Sequence, residues 1–312
     1  MIGLVRQVSH STGISTDACR RIAKSAYLRY KKFAIPKKNG DLRLVAQPAR
    51  EVKAVQRAIV DILKGALPVH SAATAYEEDC SIAKNAASHR DSLFLSKFDF
   101  SDFFPSISAD DIEAVLRERL DGVSDAEVKF VVDACTWRPG ARSVLCLGAP
   151  SSPFISNAVM HRFDEEMTSF CAGKQVSYTR YSDDIAISTV LPDVLVVVES
   201  HLRTIVANMQ SPKLRLNDRK RVAAGRGTAM RVTGLTLAND GRVTVGRIRK
   251  RGVRAGIHKY LLGRLPDEEI SKLKGELAFV LDVEPDFASV LVATYGASIV
   301  LFLPARHRER FL

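Results

Sequence analysis

The sequence predicts an α+β fold, because alternating strand patterns and helical patterns occupy separate stretches of the chain. Apolar residues alternating on either side of turn-forming residues mark hairpins, and apolar residues three and four apart mark amphipathic helices. The 312 residues suffice for about two domains at roughly 150 residues each. A composition of 46% hydrophobic and 26% charged residues excludes global disorder.

The elements follow in order. A short helix is expected within the first 30 residues, where Ile22, Ala26 and Tyr27 lie against Arg20, Arg21 and Lys24. FAIPKKNGDLRLVAQP then reads as two strands about Lys38-Asn39-Gly40, since Asn-Gly readily supplies the positive φ angles of a tight hairpin turn. Pro48 is placed early in a helix with Val52, Val55, Ile59, Ile62 and Leu63 on one face. Ser92 to Phe98 is a continuous apolar run of strand length. Ser108 caps a helix through Leu120, and Asp111 three residues on completes a capping-box pattern. A further helix is expected near Ala126 to Ala134. Ser151-Ser152-Pro153 opens another, with Phe154, Ala158, Val159, Phe163, Met167 and Phe170 as its stripe and Gly173 closing it. Gln175 to Tyr181 and Ile185 to Val190 flank Ser182-Asp183-Asp184 as a hairpin with an acidic tip. Val194 to Met209 is helical, and Val232 to Leu237 and Arg242 to Val245 are strands about Asn239-Asp240-Gly241. Composition shifts near Gly241, where a domain boundary is placed.

Charge points to the partner. Forty-six Lys and Arg against 35 Asp and Glu leave +11, an excess that phosphate neutralisation and counterion release reward, so a nucleic acid is expected. The excess is concentrated: residues 241 to 266 carry Arg242, Arg247, Arg249, Lys250, Arg251, Arg254, Lys259 and Arg264 without an acid. Residues 212 to 231 are basic apart from Asp218. Five widely spaced cysteines, with no Cys-x-x-Cys pair, suit a reducing cytoplasm. The amino terminus lacks the apolar core of a signal peptide, and polar residues interrupt the uncharged stretch from Phe287 to Pro304, so a buried helix rather than a membrane span is expected.

Asp99 ends an apolar strand, and Asp183 and Asp184 sit on a hairpin tip. An Asp-Asp pair in a turn is ordinary turn chemistry. If the two strands are neighbours in one sheet, however, the carboxylates form a cluster of hard oxygen ligands suited to magnesium. Two such ions would activate an attacking hydroxyl and stabilise leaving pyrophosphate, which is nucleotidyl transfer.

In order along the chain, KFDFSDFFPSIS, LGAPSSPFISN and YSDD resemble the A, B and C motifs of reverse transcriptases. FAIPKKNGDLRLVAQP resembles the preceding fingers motif and LNDRKR the later palm motif. The resemblance implies a right-hand polymerase with fingers, a palm of antiparallel sheet plus helices, and a mostly helical thumb. It divides the chain into fingers over 1–92, palm with motif A over 93–107, a helical insertion over 108–146, palm over 147–240, and an RNA-binding thumb over 241–312.

Asp99, Asp183 and Asp184 would be the catalytic metal ligands, for two magnesium ions or manganese in their place. Arg43, with Lys37 or Lys38, would grip the nucleotide triphosphate, and Asp102 and Phe103 would line it through their backbone amides. Phe104 would block a ribose 2′-hydroxyl and so favour deoxynucleotides, or is a core phenylalanine. Gly148 would allow close backbone approach to the nascent pair, although Leu147 stands where the family carries glutamine. Lys220 would protonate departing pyrophosphate or contact a nucleic-acid backbone.

Asn85-Ala86-Ala87-Ser88-His89 resembles the Asn-Ala-x-x-His element of retron reverse transcriptases, and Val232-Thr233-Gly234 their Val-Thr-Gly element. Each is weak alone, since a lone histidine such as His89 is more often a core histidine and Val-Thr-Gly is common in strands. Together they imply a cytoplasmic bacterial enzyme that binds a structured noncoding RNA, primes from a 2′-hydroxyl and builds branched msDNA from dNTPs. A separate effector protein in anti-phage defence and host ribonuclease H would be its partners. Arg247, Arg249, Lys250, Arg251, Arg254 and Lys259 are the expected RNA contacts. A group II intron-like or other bacterial reverse transcriptase, and a catalytically idle RNA-binding scaffold, are the alternatives.

Overall fold

The computed structural model describes residues 3–36, 40–309 and 311. Its elements begin with α1 (Leu4–Thr12), α2 (Thr16–Lys24), β1 (Tyr30–Pro36), β2 (Leu42–Pro48), α3 (Arg50–Leu63), α4 (Ile82–Ala87) and β3 (Phe94–Asp99). There follow α5 (Phe103–Ser106), α6 (Ala109–Arg119), α7 (Asp125–Cys135), α8 (Ser152–Val159), α9 (His161–Cys171), β4 (Val176–Tyr181), β5 (Asp184–Thr189) and α10 (Pro192–Asn208). The chain ends with β6 (Val222–Gly225), β7 (Arg231–Val232), β8 (Leu235–Leu237), β9 (Val243–Thr244), α11 (Arg247–Leu261), α12 (Asp267–Val283), α13 (Phe287–Tyr295) and α14 (Ala305–Arg308). Two compact units result: Met1–Cys80 with Phe94–Ala223, and Ser81–Leu93 with Ala224–Leu312. The compositional change at Gly241 falls inside the second.

In the first unit, β1 and β2 form an antiparallel hairpin pairing Tyr30 with Pro48 and Pro36 with Leu42. Its Lys38-Asn39-Gly40 turn lies outside the described residues except for Gly40. Pro48 ends β2 rather than entering a helix, and Ala49 precedes α3. A four-stranded sheet in the order β4-β5-β3-β6 carries the acidic residues. Its core joins Phe98, Ile185 and Ile187 of the strands to Phe154, Phe163 and Met167 of α8 and α9 and to Val198 and Leu202 of α10.

The helix expected from Ser151 to Gly173 is two helices. Met160, at φ −81° and ψ 0°, breaks the hydrogen-bonded run, and beyond it the buried positions are Phe163, Asp164, Met167 and Cys171. The capping box at Ser108 is present: Asp111 Oδ2 accepts the Ser108 N–H at 2.7 Å, and Ser108 Oγ accepts the Asp111 N–H at 3.3 Å. Glu127 caps twice, closing α7 at Ser124 and accepting the Leu4 N–H of α1 at 2.8 Å, which fixes the amino-terminal helix to the core.

In the second unit α4 packs on a three-stranded sheet, β7-β8-β9. The strand expected over Val232 to Leu237 is itself a hairpin. Val232 pairs with Leu235 across Thr233 and Gly234, whose φ angles of 47° and 83° belong to a two-residue turn. On α11, Val253 and Ile257 are buried, and Leu273 of α12 nests over Gly256 so closely that a Cβ there would lie 2.6 Å from a Leu273 methyl. The uncharged stretch after Phe287 forms α13 and a 3-10 turn with Ile299, Val300 and Phe302 buried. Among the described residues no helix is long and apolar enough to cross a membrane.

Ser108→Ala removes one half of the α6 capping box. We expect a loss of about 1–2 kcal/mol, read as a lower denaturant midpoint for the first unit; an unchanged midpoint would mean that Asp111 alone holds the helix start.

Candidate active site

Asp99 is the last residue of β3 and Asp184 the first of β5, and the antiparallel register pairs them directly. Opposed residues project to the same face of a sheet, so the two carboxylates are neighbours. Asp183 precedes Asp184 in the turn, with its carbonyl accepting the Phe100 N–H at 3.1 Å. The chain returns beside β3 from Arg215: Ser101 N–H donates to the Arg215 carbonyl at 2.8 Å and Asn217 N–H to the Asp99 carbonyl at 2.7 Å. These bonds deliver Lys220, whose Nζ lies 2.7 Å from both carboxylate oxygens of Asp99.

The cluster is electrostatically crowded. Burial, then the charges of Asp183 and Asp99, push the Asp184 carboxyl up to about 6, against the opposing pull of Lys97. Burial and the Asp99 charge also raise Asp183, while Lys220 and Arg43 work the other way. Among the described residues no group of three or more His, Cys, Asp or Glu side chains forms a ready metal cage. Lys220 holds the carboxylate that such a cage would need. The donor chemistry nonetheless fits a divalent ion, since hard carboxylate oxygens that cannot all carry charge in isolation are what magnesium neutralises.

Arg43, Asp99, Asp183, Asp184 and Lys220 line one cavity of about 550 Å³. Tyr76, Lys97 and Arg219 line it too and were missed in the sequence; Lys97 was legible, since it shares a strand face with Asp99 two residues on. Asp102, Phe103, Phe104 and Gly148 are not part of this lining. Asp102 stands in the left-handed region at φ 48° ahead of α5. The Phe103 ring is buried and stacked on Phe100 at 5.8 Å, and Phe104 is half-buried against the same core. Lys37 and Lys38 lie outside the described residues. The close approach that Gly148 permits is to the protein itself. At φ 111°, a Cβ on it would lie 2.8 Å from the Ala46 carbonyl oxygen, and next to it the Leu147 carbonyl accepts the Ala46 N–H at 2.9 Å.

The second unit brings together residues far apart in the chain. Asn85 and His89 are buried at α4, and the Thr233 hydroxyl donates to the Ile82 carbonyl at 3.0 Å, joining the Val232-Thr233-Gly234 turn to that helix. Burial pushes His89 down to about 4, so it is neutral at physiological pH, in keeping with a core histidine. Arg247, Lys250, Arg251 and Arg254 of α11 line a cavity of about 850 Å³ together with Lys84 and Arg90. Two of the expected RNA contacts have acidic partners: Arg249 pairs with Glu276 at 3.3 Å and Lys250 with Glu284 at 2.8 Å. Lys259 is exposed on the same helix.

The raised Asp184 carboxyl has a stability signature in the metal-free protein. The folded state takes up its proton near pH 6 and the unfolded chain only near pH 4, so the penalty is complete above the first value and absent below the second. Asp184→Asn should therefore stabilise the metal-free protein at pH 7 by about 1–2 kcal/mol, discounted for partial exposure, and should be neutral near pH 4. Thermal unfolding with a chelator at both pH values checks this, and an Asn variant no more stable at pH 7 would refute the crowding.

Residues 35–237 match the family model of the reverse transcriptase (RNA-dependent DNA polymerase). The Escherichia coli retron Ec83 reverse transcriptase is 38% identical over 276 residues, 87% of this chain and 88% of that one. The E. coli retron Ec73 enzyme is 30% identical over 278 residues, 86% and 88% of the two chains. Among solved structures, apo telomerase from Candida tropicalis superposes with a TM-score of 0.52 at 12% identity, over 88% of this chain and 60% of that one. Telomerase from Candida albicans with a TWJ fragment of telomeric RNA gives 0.50 at 13% identity, over 90% and 58%. The present chain thus spans about 60% of the length of those telomerases, and the likeness is one of fold, the right-hand architecture of reverse transcriptases. With its ordered motifs, its paired aspartates and these relatives, the chain belongs to the reverse transcriptase family and is an RNA-directed DNA polymerase of the retron type.

Proposed function

We propose that this polymerase makes msDNA: it binds a structured noncoding RNA, starts from a 2′-hydroxyl of a guanosine within it, and copies part of it into a branched RNA–DNA hybrid. The observation that carries the catalytic half is the direct pairing of Asp99 with Asp184 beside Asp183, in a cavity that also holds Arg43 and Lys220. In this reading the three aspartates hold two magnesium ions, or manganese, which when bound activate the attacking hydroxyl and stabilise the pyrophosphate. Arg43 orients the dNTP triphosphate through its guanidinium fork. Lys220, whose Nζ lies 2.7 Å from both Asp99 oxygens, would be the ammonium that gives a proton to departing pyrophosphate. Phe104, Asp102 and Phe103 act on the nucleotide only if it extends beyond the cavity, toward α5.

The RNA half is supported by the basic face of α11. Arg247, Arg251 and Arg254 follow one another at helical spacing, and Arg254 also lies over the Phe287 ring at 5.4 Å. Such a surface tracks phosphates of a folded RNA. The proposal extends to a bacterial cytoplasmic setting with a separate effector protein held in check for anti-phage defence, and with host ribonuclease H trimming the copied RNA.

Asp183→Asn should abolish primer extension with magnesium while RNA affinity stays within about two-fold, because one metal ligand is lost and the basic surface is kept. Extension at the wild-type rate by the folded variant would refute the metal assignment. The triple variant Arg247→Ala, Arg251→Ala, Arg254→Ala should weaken binding of the cognate RNA and flatten its salt dependence by about two to three counterions. An unchanged salt slope would move RNA recognition off α11.

A further inference from the structure

Behind the acidic turn lies a charge closed off from solvent. Arg180, next to last in β4, and Asp164 of α9 are both 0% exposed. The Arg180 Nε donates to Asp164 Oδ1 at 2.9 Å and Nη2 to Oδ2 at 2.6 Å, and the Tyr178 hydroxyl adds a bond to Oδ1 at 2.7 Å. Nη1 reaches the other way, donating to Asn157 Oδ1 at 3.2 Å and to the carbonyl of Ser182 at 3.0 Å. Asn157 is itself fixed, its Nδ2 donating to the Ala75 carbonyl at 2.8 Å. Ser182 stands in the left-handed region at φ 60°, and the Tyr76 hydroxyl donates to its Oγ at 3.0 Å. Both the carbonyl and the hydroxyl of Ser182 are therefore gripped, and the next residue is Asp183.

Stability does not account for this arrangement. Removing an Arg–Asp pair from water costs several kcal/mol, and apolar residues of similar volume are often as stable or more so. What apolar residues cannot supply is a donor for the Ser182 carbonyl. A non-glycine residue at positive φ also costs about 1–2 kcal/mol and persists only where its surroundings over-determine it. The planar fork, locked on one side by Asp164 and on the other by Asn157, fixes that carbonyl in direction as well as distance.

We infer that Arg180, backed by Asp164 and Asn157 and joined by Tyr76, is a positioning residue that aims the Asp183 carboxylate toward Asp99 and so sets the affinity of the site for divalent metal. This rests on the reading of Asp183 as a metal ligand. Arg180 is fully buried and does not line the cavity, so it acts through the turn alone.

Arg180→Lys keeps the charge but cannot reach Asp164 and the Ser182 carbonyl together. Mn²⁺ binding to the protein alone, followed by electron paramagnetic resonance, should weaken about 10-fold, within the roughly 10–100-fold carried by residues that orient metal ligands. The kcat of primer extension should fall by a similar factor, while KM for dNTP and affinity for RNA change less than about two-fold. Tyr76→Phe removes one hydroxyl from a side chain 44% exposed and should move the same two quantities the same way by about three-fold. It decides the matter if Arg180→Lys does not fold. Unchanged Mn²⁺ affinity in the folded variants overturns the positioning role. Asp183→Asn in the same binding experiment separates the two ideas: if it binds Mn²⁺ as the wild type does, the metal reading fails, and if it alone loses Mn²⁺, only the role of Arg180 does.

Discussion

The ladder between β3 and β5 sets Asp99 against Asp184, and like charges opposed across two strands repel. The pairing persists because the opposite face of the ladder is buried and mostly apolar: Phe98 lies opposite Ile185 and Ser96 opposite Ile187, with α10 packed on both strands. A slip of one residue would turn that apolar set out of the core and the acids, which lie on the opposite face, into it. The core therefore dictates the register, and the register dictates the charge cluster. The segment returning at Arg215 to Lys220 answers that cluster with main-chain bonds and an ammonium.

Local features were legible in the sequence. The capping box at Ser108, the acidic hairpin and the β1–β2 pair each depend on residues a few positions apart; Asp99 and Asp184 were legible as strand ends with Asp183 in the adjoining turn, while Arg43 and Lys220, which meet them in one cavity, were legible only through the motifs that carry them. What failed was phase and turn chemistry. One apolar stripe from Phe154 to Phe170 conceals a break at Met160, since the residues after it keep a helical pattern of their own. Val232 to Leu237 alternates like a strand, yet Thr233 and Gly234 turn it back on itself.

Contacts made across the sequence were illegible for a different reason. Asp164 and Arg180 each look like surface charges in a linear reading, and only the packing of α9 on β4 makes them a pair. The acid-free run from Gly241 likewise describes the chain and not its surface. Glu276 on α12 and Glu284 just past its end neutralise Arg249 and Lys250, leaving Arg247, Arg251, Arg254 and Lys259 as the more available cations on α11.

The segment at Leu147 and Gly148 binds β2 through main-chain atoms: the Leu147 carbonyl takes the Ala46 N–H, and Gly148 abuts the Ala46 carbonyl with no room for a Cβ. A peptide bond presents the same carbonyl whatever side chain it carries. Position 147 can therefore drift between leucine and the family's glutamine without loosening this junction, whereas its neighbour is frozen as glycine. Diversification at this junction would accordingly have a free site and a forbidden one side by side.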